Sequence, residues 1–366
     1  MSSRAVFEQA RHWIHHCKDN HAKCRQADSD LRLPTRLVSI DRNSTGISAR
    51  LCDGQSLPCN TEYLTLSHCW GTAEFMTLRE NNKDSFYISI PVERLARTFQ
   101  DAMYATAVLG FKYIWIDSLC IIQDAPNNAD WRFEAAKMCG VYKNATCNLA
   151  ALAAPNGNAG IFTRRNRYES MPTKVSVNWL TVKAADGTLP SVVYPHRYNY
   201  WQGMQKGPLF DRAWVVQEQL LAKRTLIFGD NEVFWECSER CASEVWPSGM
   251  SSPFLPSATP MRQLFRINDP HLDRVSSKNE VFAMWRRLVQ HYSRRELSHL
   301  SDRLPAIQGI VTEFQRRLKD RYMYGLWEGD LTESLLWQSL SQDVTTPDYS
   351  RAPSWSWAST DHEVGY

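Results

Sequence analysis

The chain has 366 residues, 43% hydrophobic and 22% charged, and its 42 Lys and Arg nearly balance 39 Asp and Glu. That is enough apolar material for one large or two ordinary domains, and a net charge of +3 argues against an electrostatic nucleic-acid surface. No run of about 18 uninterrupted apolar residues offers a membrane span, and the polar start Met1 to Glu8 lacks a signal-peptide core, so a soluble cytoplasmic protein is expected.

Near the N-terminus, His15, His16, Cys17, His21 and Cys24 crowd together. They lack two clean Cys pairs at finger spacing, so no metal is expected. The ten cysteines, in a chain without a secretion signal, are read as reduced thiols. Tyr63 to Ser67 reads as a strand that ends in His68, Cys69, Trp70 and Gly71. From Pro91 to Val108, Leu95, Phe99, Met103 and Ala107 recur at helical steps, and Gly110 stands at the expected C-terminal position.

Lys112 to Asp124 has the pattern of a strand covered on both faces that runs into Asp117, Cys120, Gln123 and Asp124. In open α/β sheets ligands gather at the carboxyl ends of such strands, so Asp117 and Cys120 join His68 and Trp70 as candidates for one cleft. Asp117 suits ribose hydroxyls or the orienting of a base, and equally a helix or turn cap. Cys120 suits a thiol nucleophile with His68 as its base, or an inert core position. The Trp70 ring offers a face for a base or nicotinamide and His68 a hydrogen bond to ribose or phosphate, unless Trp70-Gly71 only turns the chain.

A helix is expected to begin near Asn128 to Asp130, with Trp131, Glu134, Met138 and Tyr142 on one stripe facing the sheet. A carboxyl among apolar neighbours can serve as general acid or base, or steady an oxocarbenium ion when ionised. The plain alternative has Glu134 neutralise the helix N-terminus or pair with Arg132 or Lys137. Asp211 is a good N-cap, and Trp214, Gln217, Glu218 and Leu221 share a helix face, with Gln217 and Glu218 reaching a cleft edge. Arg212 is the phosphate contact of choice. No Gly-x-Gly-x-x-Gly or Walker-type run follows any strand.

A strand from about Val233 to Trp235 leads to Cys237 and Cys241, read as a strand end and turn. Trp246 to Ser257 reads as a linker. Beyond it, Val281, Trp285, Leu288 and Tyr292, then Ile307, Ile310, Val311 and Phe314, mark two amphipathic helices.

Tyr63 to Gly71 closely resembles the first motif of the fungal heterokaryon-incompatibility (HET) domain. Tyr113 to Asp124, with Asp130 to Glu134 and Met138 to Tyr142, resembles the second, and Asp211 to Glu218 the third. Leu33 to Leu37, Asp302 to Ala306 and Ala352 to Ser359 resemble family flanks, so nearly the whole chain is covered. In larger members the Pro353 to Trp357 segment is similar to the opening of further β-rich sequence. The stop at Tyr366 therefore implies a truncated chain or a short member.

The resemblance implies an α/β fold, a TIR-like or flavodoxin-like mostly parallel sheet flanked by helices, with added strands. The expected organisation is an N-terminal flank over 1–60, the HET domain over 61–245, a linker over 246–260 and a mainly helical accessory region over 261–366. The HET domain looks like a distant relative of the TIR fold, whose enzymatic members use a glutamate to cleave NAD at the nicotinamide bond. That implies Glu134 and Asp117 as catalytic residues, with His68, Trp70, Cys120, Arg212, Gln217 and Glu218 binding substrate. NAD is then a substrate and no cofactor is required. The family implies a role in non-self recognition and programmed cell death, with self-association or a protein partner from an incompatibility system. A non-enzymatic self-associating module, or a stand-alone enzyme on another small molecule, is the alternative.

Overall fold

The computed structural model describes residues 2–25, 32–44, 46–165, 175–176, 192–193, 207–249, 261–265, 277–342 and 348–366. Helix α1 (Arg4–Asn20) starts where the Ser3 side chain accepts the Val6 N–H and buries Phe7, Ala10, Trp13, Ile14 and Cys17 at helical steps. A hairpin follows, β1 (Arg36–Asn43) with β2 (Gly46–Asp53). Next come β3 (Leu64–Ser67), α2 (Arg97–Leu109), β4 (Tyr113–Trp115), the single turn α3 (Asp117–Cys120), α4 (Ala129–Ala135), α5 (Met138–Asn144) and β5 (Cys147–Ala150). The domain continues through α6 (Ala213–Leu221), β6 (Arg224–Phe228), β7 (Val233–Cys237) and β8 (Cys241–Ser243).

These eight strands form one mixed sheet in the order β8-β7-β6-β5-β3-β4-β1-β2. Its centre, β4, β3, β5 and β6, is parallel, and an antiparallel hairpin flanks it on each side. Every residue of β3, β5 and β6 is buried, as parallel strands covered by helices on both faces require. The chain passes from β3 to β4 on one side of β3, then to β5 on the other. In open α/β sheets a ligand crevice is expected at such a reversal, here at the carboxyl ends of β3 and β5.

Helix α2 ends as expected: Gly110 takes φ +93° and its N–H reaches the Thr106 and Ala107 carbonyls. No atom would crowd an added Cβ there, so Gly110→Ala isolates backbone strain. A loss of about 1–2 kcal/mol in urea unfolding is expected, and unchanged stability would contradict the left-handed cap.

As expected, the strand in Lys112 to Asp124 ends ahead of Asp117: Tyr113–Trp115 forms the ladder, Asp117–Cys120 forms a helical turn, and Ile121 and Ile122 are buried beyond it. Asn128 to Tyr142, in contrast, is not the one helix expected. Asn127 and Asn128 both adopt φ +53° before α4, and a turn at Ala136 and Lys137 separates α4 from α5.

The two C-terminal helices lie where their periodicity places them. Helix α7 (Lys278–Ser293) opens on a reciprocal capping box between Ser277 and Glu280 and buries Val281, Trp285, Leu288 and Tyr292. Helix α8 (Gln308–Leu318) buries Ile310, Val311 and Phe314 and packs against both α6 and α7. One apolar core runs from Val6 through the sheet to Val364. Trp246 to Gly249 forms a turn, while 250–260 of the expected linker lie outside the described residues. Among the described residues no helix is long and apolar enough to cross a membrane.

Candidate functional site

Strand β3 carries its polar residues in alternation with leucines, and those polar residues build the floor of the crevice. Thr65 Oγ1 donates to Asn148 Oδ1 at 2.9 Å, and Asn148 Nδ2 donates to Ser67 Oγ at 2.9 Å. The Tyr142 hydroxyl donates to the Leu66 carbonyl at 3.4 Å and Ser67 Oγ to Asn148 Oδ1 at 3.2 Å, and both hydroxyls favour the ionised form of the neighbouring Glu218 carboxyl on α6. Glu218 is only 5% exposed and its Oε2 has no hydrogen-bond partner. Burial pushes its carboxyl up to about 7; the nearby Asp117 charge adds to this, and Ser67, Arg212 and Tyr142 oppose it.

His68 follows directly. Its ring is buried, edge-on to Phe99 with centroids 4.9 Å apart, and its Nδ1 lies 3.7 Å from Asp117 Oδ1. That is within electrostatic reach and beyond hydrogen-bond length. Burial pulls the imidazole down to about 4, with Arg212 adding to the effect and Asp117 opposing it, so His68 is neutral at physiological pH. Asp117 at the head of α3 accepts from Trp70 Nε1 at 2.9 Å and from the Ser118 N–H at 2.7 Å. Arg212 donates to the His68 carbonyl. Trp70, Asp117 and Arg212 are only partly buried and form the solvent side of the group.

The structure thus brings together His68, Trp70, Asp117, Arg212 and Glu218. It places Glu134 elsewhere. Glu134 is 1% exposed and lies 4.0 Å from Arg36 and 3.9 Å from Lys137, in an ion cluster where Arg36 also pairs with Asp130 and donates to the Cys120 carbonyl at 2.7 Å. Cys120 is buried and burial pushes its thiol up to about 12, so at neutral pH it is protonated and a poor nucleophile.

Gln217 faces α8, which packs against α6, whereas Glu218 turns inward beside Ser67, Tyr142 and Arg212. Gln217 is 1% exposed, and its Oε1 accepts from the Gly309 N–H at 2.7 Å, occupying an orphan donor at the start of α8. Asp211 is not the N-cap of α6; that position is Arg212, without a side-chain cap. Instead the Asp211 carbonyl accepts from Glu296 N–H at 2.6 Å, and the Glu296 carbonyl accepts from Ala213 N–H at 2.8 Å, so a strand-like strap from the C-terminal region fixes the helix start.

Ser67, Tyr142 and Asn148 were not singled out from the sequence; for Ser67 and Asn148 the signal was a hydroxyl and an amide in fully buried strands, where unsatisfied polar groups are costly.

Opposite shifts give this site a pH signature. The folded chain keeps a proton on Glu218 that the unfolded chain releases from about pH 4.5, so this group makes stability fall as pH rises towards 7. The unfolded chain binds a proton on His68 below about pH 6.5 that the folded chain refuses down to about 4, so that group makes stability rise across pH 4 to 6.5. Glu218→Gln removes the first effect alone. Relative to wild type, the variant gains about 2 kcal/mol between pH 4.5 and 6.5, measurable by urea unfolding at both pH values. Identical pH dependence of the two proteins would contradict the buried, protonated Glu218.

A parallel strand centre with a polar, partly desolvated group at its order reversal defines an α/β domain with a strand-end site. Residues 63–218 match the family described as Heterokaryon incompatibility protein (HET), so this segment of the chain is a HET domain. The matched segment opens on β3 and closes on Glu218, so it holds every member of the site. No curated protein and no solved structure matches the chain.

Proposed function

We propose that this chain acts in fungal non-self recognition and programmed cell death, in the cytoplasm, through a TIR-like cleavage of NAD at the nicotinamide bond. The observation that carries this reading is Glu218, a buried carboxyl poised near neutrality beside the strand-order reversal. The order β4-β3-β5-β6 of the parallel strands supports a flavodoxin-like reading, in which ligands sit at such a reversal.

In the proposed reaction the ribose C1′–N bond breaks and nicotinamide leaves with the bonding pair. Water supplies the new C1′–O bond, and its proton passes to the Glu218 carboxylate and on to solvent, giving nicotinamide, ADP-ribose and a proton. Ionised Glu218 also steadies the developing oxocarbenium charge. Arg212 offers N–H groups to the diphosphate, Trp70 a ring face, and Asp117 a carboxylate for ribose hydroxyls. Glu218 takes the role that the family resemblance suggested for Glu134. No resident cofactor is called for. Because Glu218 is 5% exposed, self-association or a protein partner is proposed to open the crevice, and residues 261–366 are proposed as the accessory region that holds α6 in place.

Calorimetric titration with NAD tests the reading. Saturable binding is expected, weakened about 10- to 100-fold in a folded Arg212→Ala variant through loss of charge-assisted hydrogen bonds. No heat from wild type at millimolar NAD, with assembly confirmed by light scattering, would overturn it.

A further inference from the structure

Away from this crevice, three thiols and an imidazole converge on one point. Cys17 lies in the last turn of α1, His21 is that helix's C-cap residue, Cys24 ends the short 3-10 turn that follows, and Cys237 closes β7. All four are buried, and their ligand atoms lie within 4.8 Å of one another. Cys237 Sγ and His21 Nδ1 are 3.3 Å apart. A zinc tetrahedron with Zn–S near 2.3 Å and Zn–N near 2.0–2.1 Å sets its donor atoms roughly 3.3–3.8 Å apart.

From this geometry we infer that Cys17, His21, Cys24 and Cys237 form a structural zinc site that fastens the N-terminal helix to the antiparallel wing of the sheet. The surroundings suit thiolate ligands. Arg224 Nε donates to Cys17 Sγ at 3.2 Å, and the Arg240 N–H donates to Cys237 Sγ at 3.3 Å. Zinc with three thiolates and a neutral imidazole carries one net negative charge, which the buried Arg224 guanidinium offsets while also binding the Thr146 and Cys24 carbonyls. Such partners orient the ligands and tune the metal. A disulfide would use two sulfurs and strand the third thiol and the imidazole, and all four cysteines of the β7–β8 and N-terminal segments are unbridged. Four protein ligands close the coordination sphere, which marks a structural rather than a catalytic ion.

The N-terminal group alone shows only three of the ligands. The fourth lies 216 positions beyond His21, at the strand end that looked like an ordinary turn, and only folding brings it close.

Metal analysis of the full chain, purified without a histidine tag under reducing conditions, tests the site. One zinc per chain is expected, kept by the exposed-thiol variant Cys59→Ser and lost to background in Cys237→Ser. Because Cys237→Ser can misfold, the wild type is also stripped and titrated with Co2+. Tetrahedral ligand-field bands with thiolate charge transfer, saturating at one equivalent, support the site without any variant. No zinc above background together with no such cobalt spectrum overturns it, as does zinc retained in a folded Cys237→Ser.

Discussion

Replacing Glu218 with Gln is expected to lower kcat for nicotinamide release about 10²–10⁴-fold while leaving KM within a few-fold. The amide keeps the shape of the carboxyl beside the Ser67 and Tyr142 hydroxyls. It loses the ability to take a proton and the charge that steadies the oxocarbenium ion. The loss should therefore fall on kcat, the signature of an interaction made in the transition state. Glu134→Gln should keep kcat within about tenfold, since Glu134 belongs to the Arg36 and Lys137 ion cluster. Steady-state chromatography of both folded variants decides between the two carboxylates. Activity lost in Glu134→Gln and kept in Glu218→Gln would return the chemistry to the residue that the sequence alone favoured.

The second large effect concerns that ion cluster. Arg36 is 6% exposed, pairs with Asp130, faces Glu134 and donates to the Cys120 carbonyl. Removing it as Arg36→Met strands Glu134, 1% exposed, in a low-dielectric site with Lys137 as its remaining cation, and leaves Asp130 without its ion pair. Breaking a buried pair from one side costs about 3–5 kcal/mol. Glu134→Gln placed on top of Arg36→Met removes the stranded charge and should recover about 0.5–3 kcal/mol, the usual coupling of residues in one network. Urea unfolding of the two single variants and the double variant gives the cycle. Strict additivity would show that Glu134 and Arg36 do not sense each other, and would free Glu134 for another role.

Local physics made much of this fold legible. The Phe99, Met103 and Ala107 steps marked α2 and Gly110 its left-handed end, although the helix begins at Arg97, after Leu95; Val281, Trp285, Leu288 and Tyr292 marked the buried face of α7. The same reasoning placed His68, Trp70 and Asp117 at neighbouring strand ends. It failed where burial comes from distant chain. Every residue from Val215 to Leu221 is buried, with α8 packed against α6, so the helix has no solvated face from which a cleft edge could be inferred. Glu218 was therefore expected at a cleft edge when it is buried. Ser67, Asn148 and Tyr142 meet only through the parallel pairing of β3 with β5 and the packing of α5, and no spacing along the chain records that.

The most direct test is one chromatographic experiment. Wild type, Glu218→Gln and Glu134→Gln, each shown to be folded, are incubated with NAD at high protein concentration with a crowding agent, and nicotinamide and ADP-ribose are followed over time. Equal amounts of both products are expected from wild type, comparable product from Glu134→Gln and background from Glu218→Gln. Intact NAD in all three, under conditions where light scattering shows assembly, would contradict NAD cleavage and leave the crevice to another small molecule or the HET domain to a role as a self-associating scaffold.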